Sequence, residues 1–191
     1  MLNSKHQESK DAIRKKILTL RRNQKEEERF KKSKIIQKKL FLTPEFRNAR
    51  VILFYAACDG EVETFDMIRK SLELGKTVAL PKIMKQEKKI IPLIIHDLEN
   101  DLEIGPYNIR QPKDNYTRPV DLKDIDLVAV PGVAFDKDNH RLGRGAGYYD
   151  RFLKDFPDTT PKFGLAFDFQ IVQQLPHPQA HDVAVTRVIS D

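Results

Sequence analysis

Two arginines alternate with three glycines in the stretch Arg-Leu-Gly-Arg-Gly-Ala-Gly, which covers residues 141–147. Glycine lets the backbone approach a ligand closely and turn its N–H groups toward phosphate oxygens. Arg141 and Arg144 add guanidinium groups, whose forked donors suit anionic oxygens. The pattern predicts a phosphate-binding loop, and a merely flexible turn is the alternative.

This loop differs from the two commonest phosphate motifs. It lacks the Gly-Lys-Ser/Thr ending of a P-loop, and its Gly-x-Gly-x-Gly spacing is not the dinucleotide Gly-x-Gly-x-x-Gly. A buried strand is predicted just before it, ending at Pro131-Gly132, and a helix is expected to begin near Ala146 or Gly147. Ligands of open α/β sheets bind at the carboxyl ends of strands, and a helix N-terminus offers free N–H groups. The loop is therefore expected to lie where ligands bind.

Three side chains directly after the loop extend the candidate site. Asp150 falls in the first turn of the expected helix, where a carboxylate either interacts with the helix dipole or ligates Mg²⁺ beside phosphate oxygens. The residues alone favour neither role. The rings of Tyr148 and Tyr149 are able to pack against an aromatic ligand, and one of them is expected to pack in the core.

The elements that position this site follow from the spacing of apolar residues. A first helix is predicted by the apolar stripe of Ile13, Ile17 and Leu20, with Lys10, Arg14 and Arg21 along an adjacent stripe. A second helix is predicted from about Lys25 to Leu42, with Phe30, Ile36 and Leu40 facing inward. It should end before Thr43-Pro44, because a residue that precedes proline is disfavoured in the α region.

Short apolar runs alternate with helical stretches after residue 50. Strands are predicted at residues 51–55, 77–80, 90–95, 126–130, 163–167 and 183–189. Between the first two strands, Thr64 is expected to cap a helix that ends at Gly75. Residues 105–122 are expected to form an irregular surface connection. The sequence thus predicts an α/β fold: one domain over residues 1–191, with a mostly parallel, Rossmann-like open sheet flanked by helices and two basic N-terminal helices.

Composition limits the class of protein. The 191 residues suit one compact domain, and the single cysteine, Cys58, excludes an internal disulfide framework and fits a reducing compartment. The N-terminus has no apolar signal region, and no apolar stretch approaches the roughly 20 residues of a membrane-spanning helix. We expect a cytoplasmic protein without a membrane partner.

The positive charge is concentrated at the N-terminus, where residues 1–50 contain 16 Lys and Arg against 6 Asp and Glu. Such a region attracts nucleic acid, a membrane surface or a small polyanion, or is simply a solvated helix face. A nucleic-acid-binding module would expose aromatic residues among the basic ones. The aromatic residues here, Phe30, Phe41 and Phe46, have apolar neighbours that favour packing, which argues against nucleic acid.

The sequence resembles the 5-formyltetrahydrofolate cyclo-ligase family, also called 5,10-methenyltetrahydrofolate synthetases. The most specific similarity is Pro-Gly-Val-Ala-Phe-Asp at residues 131–136 followed by Arg-Leu-Gly-Arg-Gly-Ala-Gly-Tyr-Tyr-Asp at residues 141–150. It extends over nearly the whole chain, through Lys10-x-x-x-Arg14, Glu61-Val-Glu-Thr64, Leu80-Pro81-Lys82, and Leu175-Pro176 to His181-Asp182.

The resemblance implies an ATP- and Mg²⁺-dependent ligase that closes 5-formyltetrahydrofolate to 5,10-methenyltetrahydrofolate. ATP phosphorylates the formyl oxygen, N10 attacks the activated carbon, and ADP and phosphate are released. Arg141 and Arg144 would be the catalytic residues. The implied ATP-binding residues are Lys10, Arg14, Arg141, Gly143, Arg144, Gly145, Ala146, Gly147, Tyr148 and Tyr149. The implied folate-binding residues are Glu61, Arg144, Gly145, Gly147 and Tyr148.

Asp150 is the implied metal ligand, and at a second metal position the sequence departs from the family. The family usually carries an acidic residue four positions after the His-Asp pair, and this chain has Thr186 there. Either the Thr186 hydroxyl reaches the metal through water, or Asp182 substitutes. His181 is interpreted as structural rather than catalytic.

Two other functions stay open at this point. One is a different small-molecule phosphate enzyme on a similar fold, since a fold alone does not determine a reaction. The other is a family member that has lost catalysis, for which Thr186 is the hint. The partners expected are a folate and ATP, and the expected assembly is a monomer.

Overall fold

The computed structural model describes residues 8–113, 118–176 and 183–191. Within these ranges the chain forms five α-helices, which are Lys10–Asn23 (α1), Glu26–Leu42 (α2), Pro44–Asn48 (α3), Phe65–Glu73 (α4) and Tyr148–Lys154 (α5). The strands are Val51–Leu53 (β1), Thr77–Met84 (β2), Lys89–Ile95 (β3), Leu102–Ile104 (β4), Arg110–Pro112 (β5), Leu127–Val130 (β6), Ala134–Asp136 (β7), Arg141–Leu142 (β8), Lys162–Leu165 (β9), Ile171–Val172 (β10) and Arg187–Ile189 (β11).

A six-stranded sheet in the order β11-β9-β6-β1-β2-β3 forms the centre of the molecule. Its strands are parallel except β3, which pairs antiparallel with β2 at one edge. Two small sheets accompany it, β10-β7-β8 and β4-β5. The predicted α/β fold class with a mostly parallel sheet is confirmed, whereas a single domain over residues 1–191 stays a prediction.

Side chains that alternate along the parallel strands build a core on each face of this sheet. Ile52, Val78 and Ala129 pack on one face, against Ile36 of α2 and Met67 of α4. On the other face lie the neighbouring strand residues Leu53, Ala79 and Val128. They pack against Phe152 and Leu153 of α5, the helix that follows the glycine loop. The three-layer arrangement buries the strands on both sides, which explains their nearly continuous apolar sequences.

Helix α1 packs outside these layers, against the small β7–β8 sheet. Its Ile13 and Ile17 are buried with Val133, Ala134 and Leu142. The apolar stripe was therefore predicted correctly at these two positions but not at Leu20, which is exposed. Arg21 takes the inward position instead and is almost completely buried.

One other prediction of local structure is wrong, and two are confirmed only in part. Phe30 is exposed rather than inward-facing, with Lys34 Nζ 5.1 Å from its ring centroid. Thr64 is the N-cap of α4, but its hydroxyl does not cap: it donates to the Tyr55 carbonyl (2.5 Å) and accepts from the Ala57 amide (3.1 Å). The last predicted strand is confirmed only at Arg187–Ile189.

The chain around the candidate loop is more ordered than the sequence indicated. Residues 134–142 form a hairpin of β7 and β8, where only a loop was expected. The segment 105–122 contains strand β5 and a short 3₁₀ stretch, Pro106–Asn108, and a second 3₁₀ turn, Leu122–Asp124, begins at its last residue, so it is not wholly irregular. Among the described residues, no helix is both long and apolar enough to cross a membrane.

Two glycines let the β7 segment lie directly on the sheet. A Cβ at Gly132 would lie 2.5 Å from Phe135 Cζ, and one at Gly164 would lie 2.6 Å from Phe135 Cε1. Phe135 is fully buried between them. The missing side chains thus admit the ring, which fixes the hairpin that carries Arg141 against the centre of the sheet.

Candidate active site

A pocket of about 350 Å³ lies at the carboxyl ends of the parallel strands. Its walls include Tyr55 and Ala56, which follow β1, and Pro131 and Gly132, which follow β6. This is where ligands bind in open α/β sheets. The further lining residues are Cys58, Glu61, Pro81, Ile83, Ile90, Tyr107, Ile109, Val133, Arg141, Gly143, Arg144, Ala146, Gly147, Tyr148, Tyr149 and Asp150.

Arg141 and Asp150 form an ion pair at the base of this pocket. Arg141 projects from β8 with 3% of its side chain exposed, and Asp150 lies in the first turn of α5 with 14% exposed. The guanidinium Nη2 donates to Asp150 Oδ1, and Nη1 donates to the Pro131 carbonyl (3.2 Å). The Arg141 guanidinium carbon lies 5.6 Å from the ring centroid of Tyr149. Three groups, the Asp150 carboxylate, the Pro131 carbonyl and the Tyr149 ring, therefore fix the direction of this cation.

The glycine loop presents its backbone to the pocket. Gly145 and Gly147 have φ angles of 103° and 67°, which are unfavourable for residues with a side chain. The amides of residues 143–147 donate no hydrogen bond to any residue that the structure describes. From α1, Arg14 Nε donates to the Gly143 carbonyl (2.9 Å) and so holds the loop. Unpaired amides along a turning backbone provide a site for anions.

The opposite wall is a tight turn formed by residues 58–61. Asp59 and Gly60 have φ angles of 46° and 74°, and the Glu61 amide donates to the Cys58 carbonyl (2.9 Å). These are the features of a type I′ turn, which favours Asp-Gly at its centre. The turn directs the Glu61 carboxylate to the pocket, where it accepts from the Cys58 amide (3.2 Å).

Two arginines converge on this carboxylate from opposite sides. Arg144 Nη2 lies 3.2 Å from Glu61 Oε1, and its Nη1 lies 2.6 Å from Asp59 Oδ2. Arg21 Nη2 approaches the same Glu61 oxygen from beneath the turn, at 3.4 Å. The glycine loop and the turn at residues 58–61 are thus connected across the pocket by Arg144.

The remaining chemistry of the pocket comes from aromatic rings and a thiol. Tyr148 and Tyr107 meet edge to face with ring centroids 6.4 Å apart, at the pocket wall. Burial and the nearby Glu61 charge raise the pKa of the Tyr149 phenol well above its usual range. The same two causes raise the pKa of the Cys58 thiol to about 12. Both groups are therefore neutral at neutral pH and able to donate hydrogen bonds.

The predicted site residues fall into two groups in the structure. Those of the loop other than Gly145 line one pocket together with Glu61, whereas Gly145 lies beside the Arg14 guanidinium. Arg14 contacts the loop from α1, and Lys10, half-buried, is the first residue of that helix. Thr186 lies elsewhere: its hydroxyl accepts from the Lys162 amide (2.9 Å), at the amino end of β9, whereas the pocket is at the carboxyl ends. It is therefore not a partner of Asp150 in a metal site. His181 and Asp182 lie outside the described residues.

Three residues of this region were not predicted from the sequence as site residues. Asp59 and Tyr107 line or border the pocket, and Arg21 supports the turn from within the core. The Asp59-Gly60 pair is a turn signal that predicts the type I′ geometry. For Arg21, the signal is its place four residues after Ile17, on the buried side of α1.

The carboxylates near the pocket differ in their ability to bind a cation. The atoms of Asp136, Asp138 and His140 lie within 4.8 Å of one another. However, each Asp136 oxygen already accepts two hydrogen bonds, from the amides of residues 138, 140 and 175 and from the His140 ring. Asp150 Oδ2, by contrast, has no hydrogen-bond partner among the described residues. One free carboxylate oxygen beside the unpaired amides of the glycine loop fits Mg²⁺, which retains several waters.

Comparison with known proteins agrees with this geometry. A family model described as "5-formyltetrahydrofolate cyclo-ligase family" matches residues 6–191. The chain belongs to the 5-formyltetrahydrofolate cyclo-ligase family. Membership makes it an enzyme and confirms the resemblance inferred from the loop and the N-terminal motif.

Individual relatives match over most of the chain. A probable 5-formyltetrahydrofolate cyclo-ligase of Caenorhabditis elegans is 31% identical, covering 95% of this chain and 92% of the relative. The 5-formyltetrahydrofolate cyclo-ligase of Mus musculus is 32% identical, covering 85% and 84%. The NMR structure of 5,10-methenyltetrahydrofolate synthetase from Aquifex aeolicus superimposes with a TM-score of 0.83 at 34% identity, covering 94% of this chain and 88% of that one.

Proposed function

We propose that this chain catalyses the ATP- and Mg²⁺-dependent closure of 5-formyltetrahydrofolate to 5,10-methenyltetrahydrofolate, with release of ADP and phosphate. The observation that supports it most is one pocket with two chemically distinct sides. One side carries unpaired amides and two arginines, and the other carries a carboxylate among apolar and aromatic walls. A phosphate donor and a flat heterocycle with N–H groups need these two surfaces next to each other.

The glycine loop is proposed to bind the phosphates of ATP. The amides of residues 143–147 donate no hydrogen bond to the described residues, so they are free to donate to phosphate oxygens, and Arg14 keeps the loop in place through the Gly143 carbonyl. Asp150 is the residue that would hold Mg²⁺, which supplies charge neutralisation on the phosphates. Arg141 is too enclosed to move far, so it provides a fixed positive charge beside Asp150.

Glu61 is proposed to bind the folate ring system. A carboxylate accepts two N–H groups that a pterin presents side by side, and hydrogen bonds to charged groups contribute about 1.5–3 kcal/mol each. The rings of Tyr148 and Tyr107 and the side chains of Ile83 and Ile90 offer apolar contact to the rest of the ligand. The neutral Cys58 thiol and Tyr149 phenol are further donors in the same wall.

The reaction places new charge where the arginines lie. The formyl oxygen attacks the γ-phosphorus of ATP and ADP leaves, so this oxygen becomes a phosphate ester. N10 then attacks the formyl carbon, loses its proton to solvent, and the oxygen departs with the phosphate. Arg144 is the group best placed to follow the transferred phosphoryl group, because 43% of its side chain is exposed and it sits on the loop.

Isotope transfer tests this route directly. When the formyl oxygen carries a heavy-oxygen label, the proposed reaction delivers that label into the released phosphate, one atom per methenyl product. A water-derived oxygen in the phosphate, with the label lost to solvent, would show that ATP is hydrolysed without activating the formyl group.

Substitution of Glu61 tests the division of the pocket. Glu61→Ala should weaken folate binding roughly 10- to 150-fold, since it removes hydrogen bonds to a charged group, and should change ATP binding much less. Glu73→Ala is the matched control, because that carboxylate lies on the surface at the end of α4 and pairs with Lys70. Equal losses of folate and ATP affinity would contradict the assignment of Glu61 to the folate.

A further inference from the structure

Arg21 is a charged residue in a place where charge is costly. It lies in the last turn of α1 with none of its side chain exposed. Its Nη2 donates to the carbonyls of Cys58 (3.2 Å) and Asp59 (2.9 Å) and lies 3.4 Å from Glu61 Oε1. Its Nε and Nη1 are buried without a hydrogen-bond partner among the described residues. A buried cation that is only partly satisfied needs a role to offset its desolvation.

The turn at residues 58–61 is built around this side chain. Two consecutive residues with positive φ, Asp59 and Gly60, reverse the chain there. A Cβ at Gly60 would lie 3.3 Å from the Arg21 carbonyl oxygen, so the turn and the end of α1 are in close contact. Arg21 therefore ties the two carbonyls that precede Gly60 to the helix, and with them the backbone that directs Glu61.

Glu61 has two guanidinium partners that differ in freedom. Arg144 is 43% exposed, sits on the glycine loop and lines the pocket. Arg21 is enclosed and does not line the pocket, so it is unable to turn toward a ligand. If Arg144 moves from these carboxylates to a phosphoryl group, Asp59 (69% exposed) is solvated by water. Glu61 (10% exposed) is then left with Arg21 as its guanidinium partner.

We propose that Arg21 is a positioning residue for the folate: it is the fixed counterion that holds the Glu61 carboxylate in place when Arg144 turns from Glu61 to the phosphoryl group of ATP. This inference rests on the proposed function, which assigns Glu61 to the folate and Arg144 to the phosphates. It explains why two cations meet one carboxylate, since one of them has to be available to the second substrate.

Folate affinity in the presence and absence of nucleotide separates this role from a structural one. We would measure the dissociation constant of 5-formyltetrahydrofolate with and without a non-hydrolysable ATP analogue and Mg²⁺. The proteins are the wild type and the Arg21→Met, Arg21→Lys, Glu61→Gln and Arg21→Met/Glu61→Gln variants. Methionine keeps much of the arginine volume without its charge, and lysine keeps the charge.

Arg21→Met should weaken folate binding about 10- to 150-fold when the analogue is bound. This is the loss expected when the folate no longer forms its hydrogen bonds to the charged Glu61 carboxylate. The loss should be clearly smaller without nucleotide, because Arg144 then remains on Glu61. Arg21→Lys should recover most of the affinity. In the Glu61→Gln background the same substitution should add less than about a threefold loss, since residues that act through one contact are not additive.

The outcomes that overturn the inference are distinct. An Arg21→Met loss that is the same with and without nucleotide, or that persists in the Glu61→Gln background, would make Arg21 a structural residue. If Arg21→Met does not fold but the double variant does, the defect is the uncompensated Glu61 carboxylate, as proposed; if neither folds, the inference is refuted. Unchanged folate affinity in Glu61→Gln would refute the proposed role of Glu61 itself, whereas unchanged affinity in Arg21→Met alone would refute only the role of Arg21.

Discussion

Asp150→Ala removes the carboxylate partner of a guanidinium that is 3% exposed. Breaking a buried ion pair from one side destabilises a protein by about 3–5 kcal/mol, because the remaining charge is left uncompensated. Asp150 itself is 14% exposed and faces the pocket, so water reaches the vacated position and the lower end applies, about 3 kcal/mol. With a urea m-value of about 2 kcal/mol/M, the unfolding midpoint should fall by roughly 1.5 M.

The assay is urea unfolding followed by circular dichroism without ligands. Asp155→Ala is the control, because this exposed aspartate lies at the end of the same helix and should shift stability by no more than about 0.5 kcal/mol. The double variant Arg141→Met/Asp150→Leu should regain much of the loss, since an apolar pair replaces a buried ionic one at little cost.

A midpoint for Asp150→Ala within about 0.3 M of the wild type (about 0.6 kcal/mol at this m-value) would contradict the dependence of Arg141 on Asp150. It would show that Arg141 is well solvated in the ligand-free protein and does not need Asp150. Asp150 would then not be needed to hold the Arg141 guanidinium at the base of the pocket, and metal binding would be its remaining proposed role.

Three further predictions concern the surroundings of the pocket. Gly164→Ala should destabilise the fold by about 1–3 kcal/mol in urea unfolding, because its Cβ would lie 2.6 Å from Phe135 Cε1; an unchanged midpoint would contradict the close contact. Because burial and Glu61 raise the pKa of the Cys58 thiol to about 12, alkylation at pH 8 should be at least about 10²-fold slower than for a free thiol, and it should accelerate steadily up to pH 10; a plateau near pH 8 would exclude this raised pKa. Burial opposes ionisation of Asp136, but the amides of Leu175 and His140 keep the pKa of its carboxyl below the usual range, so its contribution to stability is present above about pH 4 and disappears as the pH falls through the lowered pKa. Asp136→Asn should therefore be less stable than the wild type at pH 6 and approach it toward pH 3, and an equal gap at both pH values would be the contrary result.

The sequence predicted the parallel sheet because its strands are buried on both faces and therefore appear as continuous apolar runs. It predicted the glycine loop because packing of the fold alone rarely requires alternating glycine and arginine, whereas binding of an anion uses both. It failed at Phe30, where apolar neighbours indicated packing but the helix turns the ring to solvent. Helical spacing alone does not say which side of a helix meets the rest of the protein.

The sequence pointed to candidate site residues only where the residue types themselves indicate a chemistry, as in the glycine and arginine loop. Arg21 appeared as one of several cations on a basic helix, and nothing in the local sequence shows that a turn 37 residues later closes over it. Thr64 was assigned to a helix cap, but the backbone of Tyr55 and Ala57 competes successfully for its hydroxyl. Such contacts depend on the relative placement of distant segments, which is a property of the whole fold.

In the proposed function, one pocket brings ATP and 5-formyltetrahydrofolate together in a single reaction. The most direct measurement is the absorbance of the methenyl product after mixing the purified protein with 5-formyltetrahydrofolate, ATP and Mg²⁺, with each component omitted in turn. We predict product formation that requires all three components and is accompanied by one ADP for each methenyl group. No product from a folded protein that still binds ATP would contradict the proposed reaction, and membership of the family would then describe the fold alone.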